Sequence, residues 1–122
     1  ELACGSCHAD FNFTDYSFGN NGLYAAYLDE GRRLLTGLES DRALFKVPSL
    51  RNVELTGPYM HDGSMASLQE VILHYESGGE DHPNKSEQIQ GFELDESERA
   101  DLLAFLNSLT DTEFITNPNH SQ

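Results

Sequence analysis

Two stretches of the chain repeat apolar residues at helical spacing. Leu68, Val71, Ile72 and Tyr75 fall at i, i+3, i+4 and i+7, so they form one stripe along a helix. Ser67 and Glu70 stand at its start as a capping box, each side chain answering an open backbone donor. Gly78-Gly79 ends it, because glycine accepts the left-handed backbone that terminates helices. The second stripe is Leu102, Phe105, Leu106 and Leu109. It follows Asp95 and Glu98, another capping pair, with Leu94 placed as a hydrophobic staple. Between them, residues 78–93 are polar and read as surface loop. Residues 11–31 are aromatic and rich in Gly and Asn. They read as a loop wrapped on something flat, with a turn of helix at residues 23–28. Pro48 and Pro58 break regular structure in between. Residues 116–122 read as a loose polar tail. The pattern predicts an all-α fold: a small helical domain with long loops.

Composition limits what such a domain can be. In 122 residues there is room for one domain, and only 38% of them are hydrophobic, so the core is thin. With 7 basic and 21 acidic residues the formal charge is −14, which argues against nucleic acid as a partner. No apolar run is long enough to span a bilayer. Five of the seven basic residues fall between positions 32 and 56, whereas residues 76–113 hold eleven carboxylates and only Lys85 and Arg99. That acidic run reads first as a solvated face, and second as a docking surface for a basic redox partner.

The two cysteines carry the sharpest signal. Both lie in Cys4-Gly5-Ser6-Cys7-His8. A redox dithiol needs no His after the second Cys. A zinc site needs two more closely spaced ligands, and there is no second Cys pair to supply them. Covalent attachment of a c-type haem uses all three residues: two thiols form thioethers and the next His ligates iron. One haem c would also complete the thin core, as staples do in small domains. This chemistry belongs outside the cytoplasm, so a periplasmic location is expected.

The partner of His8 on the iron is less determined by spacing. Met60 and Met65 lie in a loop just after Pro58, a common context for a Met ligand. His61, His74, His82 and His120 are further candidates, and Tyr75 shares the apolar stripe that should face the core. From spacing alone Met60 and Tyr75 stand level. Arg51 and Lys46 are candidates for the haem propionates, or for surface ion pairs with Glu39, Asp41 or Glu54.

Longer motifs then align with a known family. Phe45-Lys46-Val47-Pro48-Ser49-Leu50-Arg51-Asn52-Val53 and Leu55-Thr56-Gly57-Pro58-Tyr59-Met60-His61-Asp62-Gly63-Ser64 strongly resemble the bacterial di-haem cytochrome c peroxidase/MauG family. The helix over residues 68–79 and Ala104-Phe105-Leu106-Asn107-Ser108-Leu109-Thr110 resemble it too. The resemblance covers about residues 2–114 and identifies a C-terminal haem domain, here residues 1–115, with a cytochrome c-like fold. It implies that peroxide reacts at a haem in an N-terminal domain, and that this domain takes in and stores electrons from a small redox protein. The parent would be a peroxide-dependent oxidoreductase, although this chain lacks the peroxidatic haem. Counting from Gly63, the family's distal ligand position falls on Tyr75, where the peroxidases carry Met and the MauG branch carries Tyr. Met60 then becomes a residue of the haem pocket. A phenolate ligand favours ferric iron and a low potential, whereas a thioether raises it. The resemblance also implies a calcium ion between domains, held in part by backbone oxygens of Thr56 and Pro58. Two other readings compete: a stand-alone mono-haem electron carrier, and a domain with an open iron. The start of the chain three residues before Cys4 favours the two-domain reading over the carrier.

Overall fold

A computed structural model describes residues 2–120. In chain order the regular elements are β1 (Phe18–Gly19), α1 (Arg33–Thr36), β2 (Phe45–Lys46), α2 (Leu68–Ser77), α3 (Glu96–Ser108) and α4 (Thr112–Thr116), with short 3-10 turns between them. The expectation of an all-α fold therefore holds only in part. Helices supply most of the regular structure, but β1 and β2 pair antiparallel, Phe18 opposite Lys46 and Gly19 opposite Phe45. Strands this short leave no alternating pattern to read, which is why the sequence hid them.

Both predicted helices form with their predicted caps. Ser67 accepts from the Glu70 amide and Glu70 returns a carboxylate to the Ser67 amide. Asp95 and Glu98 do the same for α3. On α2, Leu68 and Ile72 are buried and Val71 and Tyr75 are half-buried, so the stripe faces inward as expected. Gly78 caps α2 at φ +80°, the left-handed backbone its sequence position suggested.

The stripe of α3 is looser. Phe105 is 50% exposed, and Leu102, Leu106 and Leu109 are only half-buried. An ion pair joins α3 to α2 beside Ile72, Ala100 and Leu103. Arg99 donates through Nε and NH2 to the two oxygens of Glu76, at 2.8 and 2.9 Å, and also to the Leu94 carbonyl. At its other end α3 docks on the turn at Val53–Leu55: the Asn52 amide donates to the Leu109 carbonyl, and Thr110 donates to Glu54.

Residues 23–28 do not form the expected turn of helix. Side chains replace the helical bonds there. The Gly22 amide donates to Asn20 Oδ1 at 2.7 Å, and the Leu23 amide to the Tyr27 hydroxyl at 2.8 Å. The stretch read as a loose tail starts within α4, and Pro118–His120 forms a further turn; residues 121–122 lie outside the described residues. Among the described residues the buried apolar side chains are Leu23, Ala43, Val53, Leu68 and Ile72, while Phe11, Leu28 and Leu35 are at least 80% exposed. The protein core is as thin as composition implied.

Candidate functional site

Residues 3–8 wind into a tight turn. Ala3–Ser6 is 3-10 helix, and the Cys7 and His8 amides both donate to the Cys4 carbonyl, at 3.3 and 3.0 Å. This fold over one carbonyl brings two thiols and an imidazole out of five consecutive residues. Cys4 is exposed, Cys7 is half-buried, and both are free. The Cys7 thiol donates to Gln88 Oε1 at 3.2 Å. Burial pushes its pKa up, and Asp15 and Cys4 push it further.

His8 is oriented by its neighbour loop. Its Nδ1 lies 3.0 Å from the Phe13 carbonyl, which can only accept, so Nδ1 carries the proton. Nε2 is thereby left with its lone pair, the tautomer a metal-ligating imidazole needs. Arg51 braces that loop. Its guanidinium sits 4.3 Å from the Phe11 ring centroid and 5.5 Å from that of Phe13, and it donates to the Phe11 carbonyl.

On α2, Tyr75 is half-buried. Burial raises its pKa, the hydrogen bond from Asn21 lowers it, and the Cys4 and Cys7 thiols are near enough to add to the upward push. Asn21 Nδ2 lies 3.4 Å from Tyr75 Oη and 3.3 Å from Met60 Sδ. The two Met and Tyr candidates thus meet at one amide. Three histidine candidates are engaged elsewhere. His74 Nε2 donates to the Asn21 carbonyl at 3.0 Å, and His82 Nδ1 accepts from the Asn84 amide and lies 3.2 Å from Asn20 Nδ2. His120 Nδ1 lies 3.1 Å from the Phe114 carbonyl, so it is the donor there, in the C-terminal turn. The fourth, His61, stacks on Phe45 with ring centroids 3.8 Å apart. Met65 is tied by its backbone to Tyr59, at 2.7 and 3.4 Å.

Of the two readings of Arg51 and Lys46, the surface ion pairs do not form: among the described residues neither side chain pairs with Glu39, Asp41 or Glu54. Glu39 is taken by Arg33 and Arg42, which hold its carboxyl down at about 2; Asp41 pairs with Arg32; and Glu54 accepts from Thr110. Lys46 instead donates to the Val47 carbonyl at 3.1 Å and lies 5.0 Å from the Tyr16 ring centroid. Thr56 and Pro58 flank Gly57 in an exposed loop, with the Gly57–Pro58 bond cis. Among the described residues no group of three or more His, Cys, Asp or Glu side chains gathers as a metal site.

Sequence reasoning missed Asn20, Asn21 and Gln88. Asn20 is 1% exposed and its side chain serves the Gly22 amide and the Tyr27 hydroxyl. The available signal was a pair of amides before Gly22 inside an aromatic run. Gln88 carried no signal, because it meets Cys7 only through the path of a long loop.

Two thiols and an imidazole on one turn match the residue pattern by which a c-type haem is attached, and the exposed apolar side chains leave surface that a macrocycle could cover. The chain belongs to the bacterial di-haem cytochrome c peroxidase/MauG family and matches its C-terminal portion. No family model matches it. It is 45% identical over 110 residues to the methylamine utilization protein MauG of Methylorubrum extorquens, covering 89% of this chain and 31% of that protein. It is 41% identical over 93 residues to the cytochrome-c peroxidase IdrP1 of Denitromonas iodatirespirans, covering 76% of this chain and 25% of that one. Among solved structures it superposes on a MauG-like protein associated with microbial copper homeostasis with a TM-score of 0.92 and 38% identity, over 98% of this chain and 46% of that one. The chain thus spans between a quarter and a third of the length of these two relatives. No helix among the described residues is long and apolar enough to cross a membrane.

Proposed function

We propose that residues 1–115 form a c-type haem electron-transfer domain of a di-haem cytochrome c peroxidase/MauG-like oxidoreductase in the periplasm. Cys4 and Cys7 would carry the thioethers, His8 and Tyr75 would be the axial ligands, and Met60 would line the pocket. When bound, the single haem c supplies the one-electron couple. The chain's residues do the rest. The turn at Ala3–Ser6 would present the thiols, the Phe13 carbonyl would hold His8 in its ligating tautomer, and α2 would supply Tyr75. Arg51 and Lys46 stand on either side of the segment 47–50, and propionate contact is the role we assign to them. The carbonyls of Thr56 and Pro58 would give calcium part of its shell, the remainder coming from the other domain.

The observation that supports this reading is the tight turn that gathers Cys4, Cys7 and His8 over one carbonyl, with the Phe13 carbonyl bonded to His8 Nδ1. The family's greater length supports a partner domain with the peroxide-reacting haem, and so favours this reading over a stand-alone carrier. Electrons would enter from a small redox protein and leave to that second haem. Rapid mixing tests it. In the full-length protein, reduced with one electron per haem of this domain, peroxide should reoxidise this haem. The Cys4→Ala/Cys7→Ala variant should lose most of its steady-state turnover with a protein donor. Unchanged turnover in that variant would contradict the proposal.

A further inference from the structure

Asn21 holds an unusual position between two chemically different groups. Its single Nδ2 lies 3.3 Å from Met60 Sδ and 3.4 Å from Tyr75 Oη. A carboxamide nitrogen carries two hydrogens, enough to serve both. The two acceptors do not benefit equally. A thioether sulfur is a weak acceptor, and a lone pair engaged by N–H is less free for a metal. A phenol oxygen that takes on negative charge gains a charge-assisted bond, roughly twice as strong as a neutral one.

The main chain of Asn21 is fixed independently of its side chain. Its carbonyl accepts from His74 Nε2 at 3.0 Å, and His74 directly precedes Tyr75 on α2. Gly79 packs so closely that an added Cβ would lie 2.8 Å from the Asn21 and Gly22 carbonyl oxygens. The next carbonyl, of Gly22, accepts from the Glu80 amide at 2.7 Å. Residue 21 is therefore docked on the helix that carries Tyr75. Met60 comes from the other side, on a backbone at φ +70°, a left-handed conformation that costs a residue such as Met. The loop bridge between Tyr59 and Met65 keeps it there.

We infer that Asn21 is a positioning residue that selects between these two groups: its amide tethers the Met60 sulfur and donates to the Tyr75 oxygen, so that Tyr75 and not Met60 is offered to iron. This rests on the reading of Tyr75 as distal ligand. Asn21 itself touches no metal. It acts through the two side chains it holds.

The test replaces the amide and reads the haem directly in the haem-loaded full-length protein. Asn21→Leu keeps the shape and removes the donor; Asn21→Ser removes it by shortening, and serves if the leucine variant folds poorly. Either should lower the ferric-to-ferrous ratio at a given potential by about tenfold, an upward shift of about 59 mV for one electron. Either should also bring in a Met–iron charge-transfer band in the ferric spectrum that disappears when Met60→Leu is added. Asn21→Gln, which restores an N–H donor, should move back toward the wild-type spectrum. Wild-type potential and spectrum in the leucine and serine variants, with both altered in Tyr75→Phe, would overturn the role of Asn21 alone. A wild-type spectrum in Tyr75→Phe would overturn the ligand reading and this inference with it.

Discussion

At the scale of single residues, much of the site is set by groups with no metal chemistry of their own. The Phe13 carbonyl decides which nitrogen of His8 is protonated, and Arg51 holds the loop that carries it. The sequence allowed Arg51 a propionate or a surface carboxylate, and its contact with Phe11 could not be read without the loop's path. Arg51→Ala removes a cation–π contact and a hydrogen bond, and should cost about 1–2 kcal/mol by thermal unfolding. Arg51→Lys should recover only part of it, because the ammonium lacks the planar face that stacks on Phe11. Cys4, Cys7 and His8 were legible because their spacing is itself the chemistry. Tyr75 was legible only as one candidate among several, since a stripe position does not distinguish a ligand from a packed aromatic. Asn21 was not legible, because its partners lie 39 and 54 positions away.

At the scale of elements, the two capped helices appeared where their caps and stripes placed them, because capping is a local bargain between four residues. What local patterns do not encode is how the helices meet. The α2–α3 junction runs through Glu76 and Arg99, not through the predicted stripe of α3. The Arg99 guanidinium holds the Glu76 carboxyl below its ordinary range. A carboxyl depressed in the folded state stabilises above its unfolded pKa and stops doing so as pH falls through the folded one. Glu76→Gln should therefore lower the melting temperature near neutral pH, and this gap from wild type should close on acidification below the usual glutamate pKa of about 4.3. The close approach of Gly79 gives a sharper test of the junction between α2 and residues 21–22. At φ +66°, with an added Cβ 2.8 Å from two carbonyl oxygens, Gly79→Ala should cost about 1–3 kcal/mol in chemical denaturation. A neutral outcome would mean that this contact is not tight in solution.

At the scale of the whole molecule, composition and structure agree on one point: the polypeptide by itself buries little apolar side chain. Leu23, Ala43, Val53, Leu68 and Ile72 make a small core, and large apolar residues such as Phe11 stay exposed. A haem on Cys4 and Cys7 would add apolar surface, and a partner domain would cover more. The excess of carboxylates over basic groups, −14 overall, fits a domain whose basic residues are spent on internal pairs such as Glu30–Arg42 and Glu39–Arg33. The proposed ligation puts the iron of this domain between His8 and the Tyr75 phenolate. Resonance Raman spectroscopy of the ferric, haem-loaded protein tests it most directly. A Tyr75-ligated iron gives tyrosinate ring and iron–oxygen modes that shift with ring-labelled tyrosine and vanish in Tyr75→Phe; a wild-type spectrum without those modes, or one unchanged by the substitution, would rule that ligation out.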